Sequence, residues 1–243
     1  MAGRLYGLGI GPGDPELLTL KAKRILEEVD LICTPQSSKD KRSVALNIVE
    51  EVVDCQGRVK YLLFPMTNDR AKLRLAWDRA AEEIIELLES GQDVAFITLG
   101  DPLLYSTYIY ILERVREKEF EVETVPGITS INACSARLNL PLAEGKEKVM
   151  IIPTAYDCDD LAEILTSYEN VVLMKVSKNY EEIVRMLEKL DLVENGVFIS
   201  RCGQDGEFIT RDLRSLIGEK IDYLSMIIVK RKYSVSVSKK LFF

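Results

Sequence analysis

The sequence predicts an α/β protein made of two α/β domains, each with a mainly parallel or mixed sheet. Short apolar segments alternate with helical segments along the chain, and glycine-bearing turns follow several of the apolar segments. The 243 residues suffice for one large α/β domain or two small ones. We place the domain boundary at a predicted strand over 121–125, which gives an N-terminal domain over 1–120 and a C-terminal domain over 121–243.

The N-terminal half begins with a strand predicted over residues 4–10, where apolar side chains alternate. Asp14 is a candidate helix N-cap, Pro15 suits the first helical position, and Glu16 suits the positive end of a helix. The segment DVAFITL is apolar throughout, which predicts a strand at the centre of a sheet. The other elements are a strand over 30–34 that ends at Pro35, a helix over 43–53, a strand over 59–64, and a helix over 69–90 closed by Gly91.

The C-terminal half repeats the alternation of strands and helices. Strands are predicted over 149–153, 170–176 and 196–201, and helices over 159–167 and 180–190. The closing segment YLSMIIVKRK predicts a long edge strand over 223–232. We assign no function to the tail SVSVSKKLFF that follows it.

Composition excludes several classes of function. The chain has no histidine, which excludes catalytic triads that use histidine and the common histidine metal sites. Its net charge of −7 disfavours a nucleic-acid partner. No apolar run reaches the about 18 residues of a membrane helix, and the N-terminus does not resemble a signal peptide. The five cysteines form no C-x-x-C pair and are expected to be free thiols in a reducing cytoplasm. We expect no metal bound by the protein.

The segment GLGIGPGDPELLTL over 7–20 looks like a nucleotide-binding loop, but the fingerprint is broken. Counting from Gly7, the sixth position is Pro12, and counting from Gly9 it is Asp14. Proline lacks a donor N–H and aspartate repels a phosphate, so a nucleotide-dependent oxidoreductase is disfavoured. The segment predicts a tight turn between strand and helix, which still lets backbone approach a neutral or cationic ligand. Two more glycine-bearing turns, GDP at 100–102 and PGITS at 126–130, follow strands and predict a ligand crevice.

With these three turns in this order, the sequence resembles the tetrapyrrole methylase family, the S-adenosylmethionine (SAM)-dependent enzymes of corrin and sirohaem synthesis. The matching segments are GLGIGPGDPELLTLKA, LGDPLLYST, VPGITSINACSARLNLPLA, LMK and YLSMIIVKR, which span nearly the whole chain. Within the family it is most similar to the C20-methyltransferases that act on precorrin-2 or cobalt-factor II. Uroporphyrinogen methyltransferases carry a Tyr-Asp pair after the second strand, where this chain has Thr34 and Pro35. The aspartate proposed as a base in those relatives therefore has no counterpart here.

The resemblance implies a homodimer of two-domain α/β methyltransferases, with SAM bound in the cleft between the domains. It implies that Thr129 and Ser130 contact the methionine part of SAM and that Met174 covers the adenine. Sequence pattern alone would place Met174 in the core and would make Asp101 a residue that stabilises its own turn. The full set of cofactor contacts implied by the resemblance is Pro12, Leu99, Gly100, Asp101, Leu104, Tyr105, Ser106, Thr129, Ser130, Met174, Cys202 and Gly203.

Methyl transfer to C20 of a reduced tetrapyrrole needs little base assistance, because the methyl donor is activated and the carbon is electron-rich. The catalytic base stays unassigned: Asp101, Tyr105 and Tyr108 are close in sequence but favour binding or packing roles. The substrate carries many carboxylates, and any cobalt is expected to arrive inside the tetrapyrrole. Candidate cations for those carboxylates, each also consistent with a solvated surface charge, are Lys39, Lys41, Arg42, Arg70, Lys72, Arg74 and Arg201. Methylation of another corrin carbon and a SAM- or tetrapyrrole-binding protein without turnover remain as alternatives.

Overall fold

The structure is a computed structural model that describes residues 2–38 and 43–232. The chain divides into two compact units, Met1–Ser130 and Ile131–Phe243. The boundary expected from the sequence, after residue 120, precedes a strand over Val122–Val125 that pairs with the first strand of the chain. This pairing places that strand in the first unit.

The first unit contains a five-stranded parallel sheet in the order β3-β2-β4-β1-β5. Its strands are β1 (Leu5–Gly9), β2 (Leu31–Gln36), β3 (Val59–Leu63), β4 (Val94–Thr98) and β5 (Val122–Val125). Its helices are α1 (Leu20–Glu28), α2 (Val44–Glu50), α3 (Arg70–Glu89) and α4 (Tyr108–Glu117), and α5 (Ser130–Arg137) begins at the boundary. β4 is the central strand and all five of its residues are buried, as its apolar sequence predicts.

Helix α3 begins and ends as its sequence predicts. The Asp69 carboxylate accepts hydrogen bonds from the backbone N–H groups of Ala71 and Lys72, at 3.0 and 3.2 Å, and so caps the first turn. Gly91 adopts a φ of +87° just after the helix and donates to the Leu88 carbonyl at 3.0 Å. A residue with a side chain adopts this conformation only at a cost, which explains why glycine stops the helix there.

Two predicted boundaries in this unit are wrong. Asp14 caps only a 3₁₀ turn over Pro15–Leu17, and α1 starts afresh where the Thr19 hydroxyl accepts from the Ala22 N–H at 3.2 Å. The second strand continues through Pro35 because its ladder with β4 ends at Cys33, so the missing N–H of proline breaks no bond on that side.

The second unit contains a five-stranded mixed sheet in the order β6-β7-β10-β8-β9. Its strands are β6 (Val149–Ile152), β7 (Asn170–Met174), β8 (Gly196–Ser200), β9 (Phe208–Thr210) and β10 (Ser225–Lys230), and its further helices are α6 (Leu161–Ser167) and α7 (Tyr180–Lys189). The pair β6–β7 is parallel, and the other three pairs are antiparallel. These two sheets confirm the predicted α/β class.

The prediction that the closing strand lies at a sheet edge is wrong. β10 lies between β7 and β8 and all six of its residues are buried. Lys230 at its end is also buried, and its ammonium pairs with Glu147, with Nζ 3.1 Å from Oε2. The edge strands of this sheet are β6 and β9, and β9 is a three-residue strand that the sequence pattern did not indicate.

Candidate functional site

Three glycines at strand ends of the first unit pack backbone against backbone, and we call them the glycine cluster: Gly9, Gly100 and Gly127. A Cβ added to Gly127 would lie 2.2 Å from the Gly100 carbonyl oxygen and 2.7 Å from the Cα of Gly9. A Cβ added to Gly9 would lie 2.4 Å from the Gly127 nitrogen. These distances are too short for a side chain at Gly9 or Gly127, so the first and third turns meet only because each carries a glycine.

Gly11 and Gly100 tie the first two turns together. The Gly100 N–H donates to the Gly11 carbonyl at 2.7 Å, and the Gly11 N–H donates back at 3.4 Å. Both residues have left-handed backbone, with φ of +80° and +77°. The space where a Gly100 side chain would stand is open, since the nearest atom is the Ser130 nitrogen at 4.0 Å. The left-handed φ, and not crowding, is therefore what favours glycine at position 100.

Asp101 holds the second and third turns in register. One carboxylate oxygen, Oδ2, accepts from the Gly127 N–H at 3.0 Å, and the other, Oδ1, accepts from the Leu103 N–H at 2.9 Å. The side chain is only partly buried, so each oxygen keeps lone pairs for a further donor. The structure thus gives Asp101 the turn-stabilising role and leaves capacity for the ligand contact that the resemblance implies.

The loop after Asp101 presents two of the predicted site residues in distinct ways. Tyr105 has a φ of +54° and its ring is exposed, an unusual conformation for an aromatic residue. The Ser106 hydroxyl accepts from the Tyr108 N–H at 3.0 Å and so starts α4. Among the other predicted residues of this unit, Pro12 and Gly100 are buried, whereas Leu99, Leu104, Thr129 and Ser130 are partly buried.

Tyr108 is a packing residue. It is fully buried, its ring fills the space above Gly7, and its hydroxyl lies 2.9 Å from the Thr124 hydroxyl. Burial raises the pKa of its phenol above the ordinary value. A buried phenol in this state is a poor base.

In the second unit, the predicted site residues lie where β7 and β8 end. Met174 is the last residue of β7 and is half-buried, and it pairs in register with Met226 of β10. Cys202 and Gly203 follow β8, and the Gly203 N–H donates to Glu207 Oε2 at 2.8 Å. Because β7 and β8 run parallel to each other on either side of β10, these residues lie at the same end of the sheet, where both strands finish.

Cys202 is buried beside Cys134 of α5. A hydrogen bond between the two thiols lowers the pKa of Cys202 and, together with burial, raises that of Cys134. Glu207, which lies in the same loop as Cys202, accepts a hydrogen bond on its Oε1 from Arg137 Nε of α5 at 2.7 Å. These contacts fix the loop that follows β8.

The basic residues predicted to bind substrate carboxylates are distributed over both units. Arg70, Lys72 and Arg74 are exposed near the start of α3, and Lys72 pairs with Asp69 at 3.6 Å. Arg201 is exposed at the end of β8. Lys39, Lys41 and Arg42 lie outside the described residues.

One cation at the site was missed by the sequence analysis. Lys175 directly follows Met174 and has a φ of +54°. Left-handed backbone at a lysine leaves no local sequence signal, because the surrounding fold imposes it.

No group of three or more Cys, Asp or Glu side chains in residues 2–38 and 43–232 could hold a metal ion. Within the same part of the chain, no helix is long and apolar enough to cross a membrane.

Comparison with known proteins gives consistent matches. The family model described as Tetrapyrrole (Corrin/Porphyrin) Methylases matches residues 4–216. A probable cobalt-precorrin-2 C(20)-methyltransferase of Methanocaldococcus jannaschii is 39% identical over 229 residues, which are 94% of this chain and 96% of the relative. The cobalt-precorrin-2 C(20)-methyltransferase of Salmonella typhimurium is 35% identical over 234 residues, 96% of this chain and 98% of the relative.

The fold also matches a solved structure. The X-ray structure of a cobalamin biosynthetic enzyme, cobalt precorrin-4 methyltransferase, aligns with a TM-score of 0.72. The alignment covers 93% of this chain and 94% of the other, at 18% identity. This likeness confirms the fold.

Proposed function

We propose that this chain, which belongs to the tetrapyrrole methylase family, transfers a methyl group from SAM to C20 of cobalt-precorrin-2 or a closely related cobalt tetrapyrrole in cobalamin biosynthesis. The observation that carries the proposal is similarity over nearly the full length to two relatives whose names state this reaction. Both names specify the cobalt form of the substrate, so we favour it over metal-free precorrin-2.

The proposal includes the cofactor contacts that the resemblance implies. In the first unit they are Pro12, Leu99, Gly100, Asp101, Leu104, Tyr105, Ser106, Thr129 and Ser130, and in the second unit Met174, Cys202 and Gly203. Support comes from the uncrowded Cβ position at Gly100, from the free lone pairs of Asp101, and from the half-buried Met174 at a strand end. A carboxylate and backbone carbonyls suit the positive sulfonium and amino groups of SAM, whereas they would repel a pyrophosphate.

In the proposed reaction, C20 of the tetrapyrrole forms a bond to the methyl carbon while the carbon–sulfur bond breaks. The electron pair stays on sulfur, so S-adenosylhomocysteine leaves, and C20 afterwards loses a proton. The protein has to orient the two reactants in line and exclude water. No residue is assigned to the proton, and Tyr108 is set aside because it is buried and bonded to Thr124.

The proposal also holds that the enzyme is a homodimer of the cytoplasm, without a metal of its own. Five free cysteines, four of them buried, suit a reducing compartment. Sedimentation equilibrium of the purified chain measures the oligomeric state.

The test is an anaerobic incubation of the full chain with SAM and either metal-free precorrin-2 or its cobalt complex. Mass spectrometry should find a product one methyl group heavier, and carbon-13 methyl SAM should place the label at C20 by NMR. We expect turnover with the cobalt complex and little with the metal-free compound. Turnover with only the metal-free compound would overturn the choice of cobalt substrate. Binding of SAM with no methylation of either compound would overturn the C20 assignment.

A further inference from the structure

Two cationic residues occupy equivalent positions in the second unit. Lys175 comes directly after β7 and Arg201 directly after β8, and both have left-handed backbone, with φ of +54° and +52°. This conformation is uncommon for long side chains and costs free energy. The second unit thus has two strand ends with the same unfavourable backbone, and each of them carries a cation.

The same short segment of chain holds both residues. The Lys175 N–H donates to the Ser225 carbonyl at 3.0 Å, and the Arg201 N–H donates to the Leu224 carbonyl at 2.8 Å. Lys175 and Arg201 therefore stand on opposite sides of the start of β10, two strand spacings apart, which is about 10 Å. Continued by one residue, the register places Lys175 opposite Ser225 and Arg201 opposite Leu224, which are neighbours at the start of β10, so the two residues flank the strand end on opposite faces of the sheet. A ligand that meets both cations therefore lies across the ends of the strands.

The two cations are weakly neutralised. Arg201 faces Asp222 at 3.7 Å, a distance longer than a hydrogen bond, and one oxygen of that carboxylate already accepts from the Leu224 N–H at 2.7 Å. No ion pair of Lys175 occurs among residues 2–38 and 43–232, although its side chain is only partly exposed. The ends of β7 and β8 therefore offer positive charge to an anionic ligand.

Sequence neighbours connect this charge to the cofactor. Lys175 follows Met174, and Arg201 precedes Cys202, and both Met174 and Cys202 belong to the proposed SAM contacts. Each cation is therefore one residue away from a proposed SAM contact.

We propose that Lys175 and Arg201 form a paired site for two carboxylates of the tetrapyrrole, which orients C20 toward the methyl group. This inference rests on the proposed function and names the residues that position its substrate. A spacing of about 10 Å suits carboxylates on two separate side chains of one macrocycle better than a single carboxylate held by both cations. The pair fixes the orientation of the ring, and so acts on which carbon is methylated.

The left-handed backbone provides a test that separates binding from structure. Glycine adopts this conformation freely, so Lys175→Gly and Arg201→Gly remove the charge and relieve the backbone at once. We expect both variants to unfold at the same temperature as the wild type or higher. We also expect the KM for the cobalt tetrapyrrole to rise about tenfold or more in each, because each loses a charged hydrogen bond. The Kd for SAM, measured by calorimetry, should stay within about twofold of the wild-type value.

Two matched controls belong in the same experiment. Asp191→Gly relieves a φ of +56° at an exposed residue after α7, and should leave the KM unchanged. Lys220→Met removes an exposed positive charge of the same unit, and should also leave it unchanged. Lys175→Arg keeps the charge and should retain most of the wild-type affinity.

The outcomes separate the inference from the function on which it rests. Glycine variants that lose thermal stability but bind the tetrapyrrole like the wild type, in an absorbance titration with S-adenosylhomocysteine present, would overturn the paired site. If the wild type methylates the tetrapyrrole and the double glycine variant has the same KM, the paired site is wrong and the function stands. If the wild type neither binds nor methylates the tetrapyrrole, the proposed function fails first.

Discussion

The glycine cluster shows how a missing side chain becomes a structural requirement. Gly9, Gly100 and Gly127 lie at the ends of different turns, yet their main chains are in contact. Close contact lets the Asp101 carboxylate reach the Gly127 N–H, so the second and third turns are held by a direct hydrogen bond. The site is therefore built from backbone, which suits a ligand recognised by carbonyl and N–H groups.

Substitution of Gly127 by alanine tests this packing. Its Cβ would overlap the Gly100 carbonyl oxygen at 2.2 Å, and the atom it meets is backbone, which cannot rotate away. We expect the free energy of unfolding, measured by urea denaturation, to fall by about 3 kcal/mol. Gly57→Ala is the control, because it has a φ of +74° and nothing within 4 Å of the added carbon. That variant should lose only the about 1–2 kcal/mol of a left-handed alanine. Equal losses in the two variants would contradict the proposed packing.

The sequence could predict the turns of the first unit, but it could not predict the backbone conformation of every residue near the candidate site. Glycine spacing in GLGIGPGD, GDP and PGITS indicated the three turns of the first unit, because glycine carries local conformational information. Lys175 gave no such signal. Its left-handed backbone depends on a hydrogen bond to Ser225, which lies far away in sequence.

Among the elements, β10 shows why a strand can be predicted and its place in the sheet missed. The apolar content of YLSMIIVK indicates a strand, which the sequence analysis placed at a sheet edge. Lys230 is instead 1% exposed, and Glu147, which precedes β6, supplies its counter-charge. Because that partner is remote in sequence, the central position of β10 depends on a contact that no local pattern contains.

The Glu147–Lys230 pair predicts how stability depends on pH. The hydrogen bond from Lys230, followed by that from Asn170, lowers the pKa of Glu147 from 4.5 to about 2. A carboxyl whose pKa is lower in the folded state stabilises the fold above its unfolded pKa, and this stabilisation is lost as pH falls from about 4.5 to about 2. We expect the urea midpoint of the wild type to fall across this window, and that of Lys230→Met to fall less steeply.

Lys232→Met is the matched control for this measurement. Lys232 lies 3.6 Å from the other oxygen of Glu147, but its side chain is 63% exposed. Solvent screens such a pair, so this variant should keep the pH slope of the wild type. A wild-type slope in Lys230→Met would show that other carboxyl groups determine the acid sensitivity.

For the molecule as a whole, the alternation of strands and helices was sufficient to predict two α/β units. The boundary depended on β5, since pairing with β1 assigns that strand to the first unit. Each unit carries its own hydrophobic core, and each presents proposed SAM contacts at the ends of its strands. The function that we propose therefore requires contributions from both halves of the chain.

Paired substitutions test this requirement. Leu104 in the first unit and Met174 in the second are both partly buried apolar residues among the proposed SAM contacts. We expect Leu104→Ala and Met174→Ala each to raise the Kd for SAM about tenfold, as measured by calorimetry, because each removes apolar surface that the cofactor would cover. Met66→Ala shortens a side chain that is 69% exposed and should bind SAM like the wild type.

The double variant, which combines Leu104→Ala with Met174→Ala, tests whether the two residues contact the same bound cofactor. If both residues contact one bound cofactor without contacting each other, the two losses should add in free energy, giving about a hundredfold weaker binding. Thermal unfolding must stay near the wild-type temperature, so that the change reflects binding. A loss confined to Leu104→Ala would mean that the second unit contributes no apolar contact through Met174. In that case the strand ends of β7 and β8 would be left to the tetrapyrrole alone, and the set of SAM contacts would shrink to the first unit.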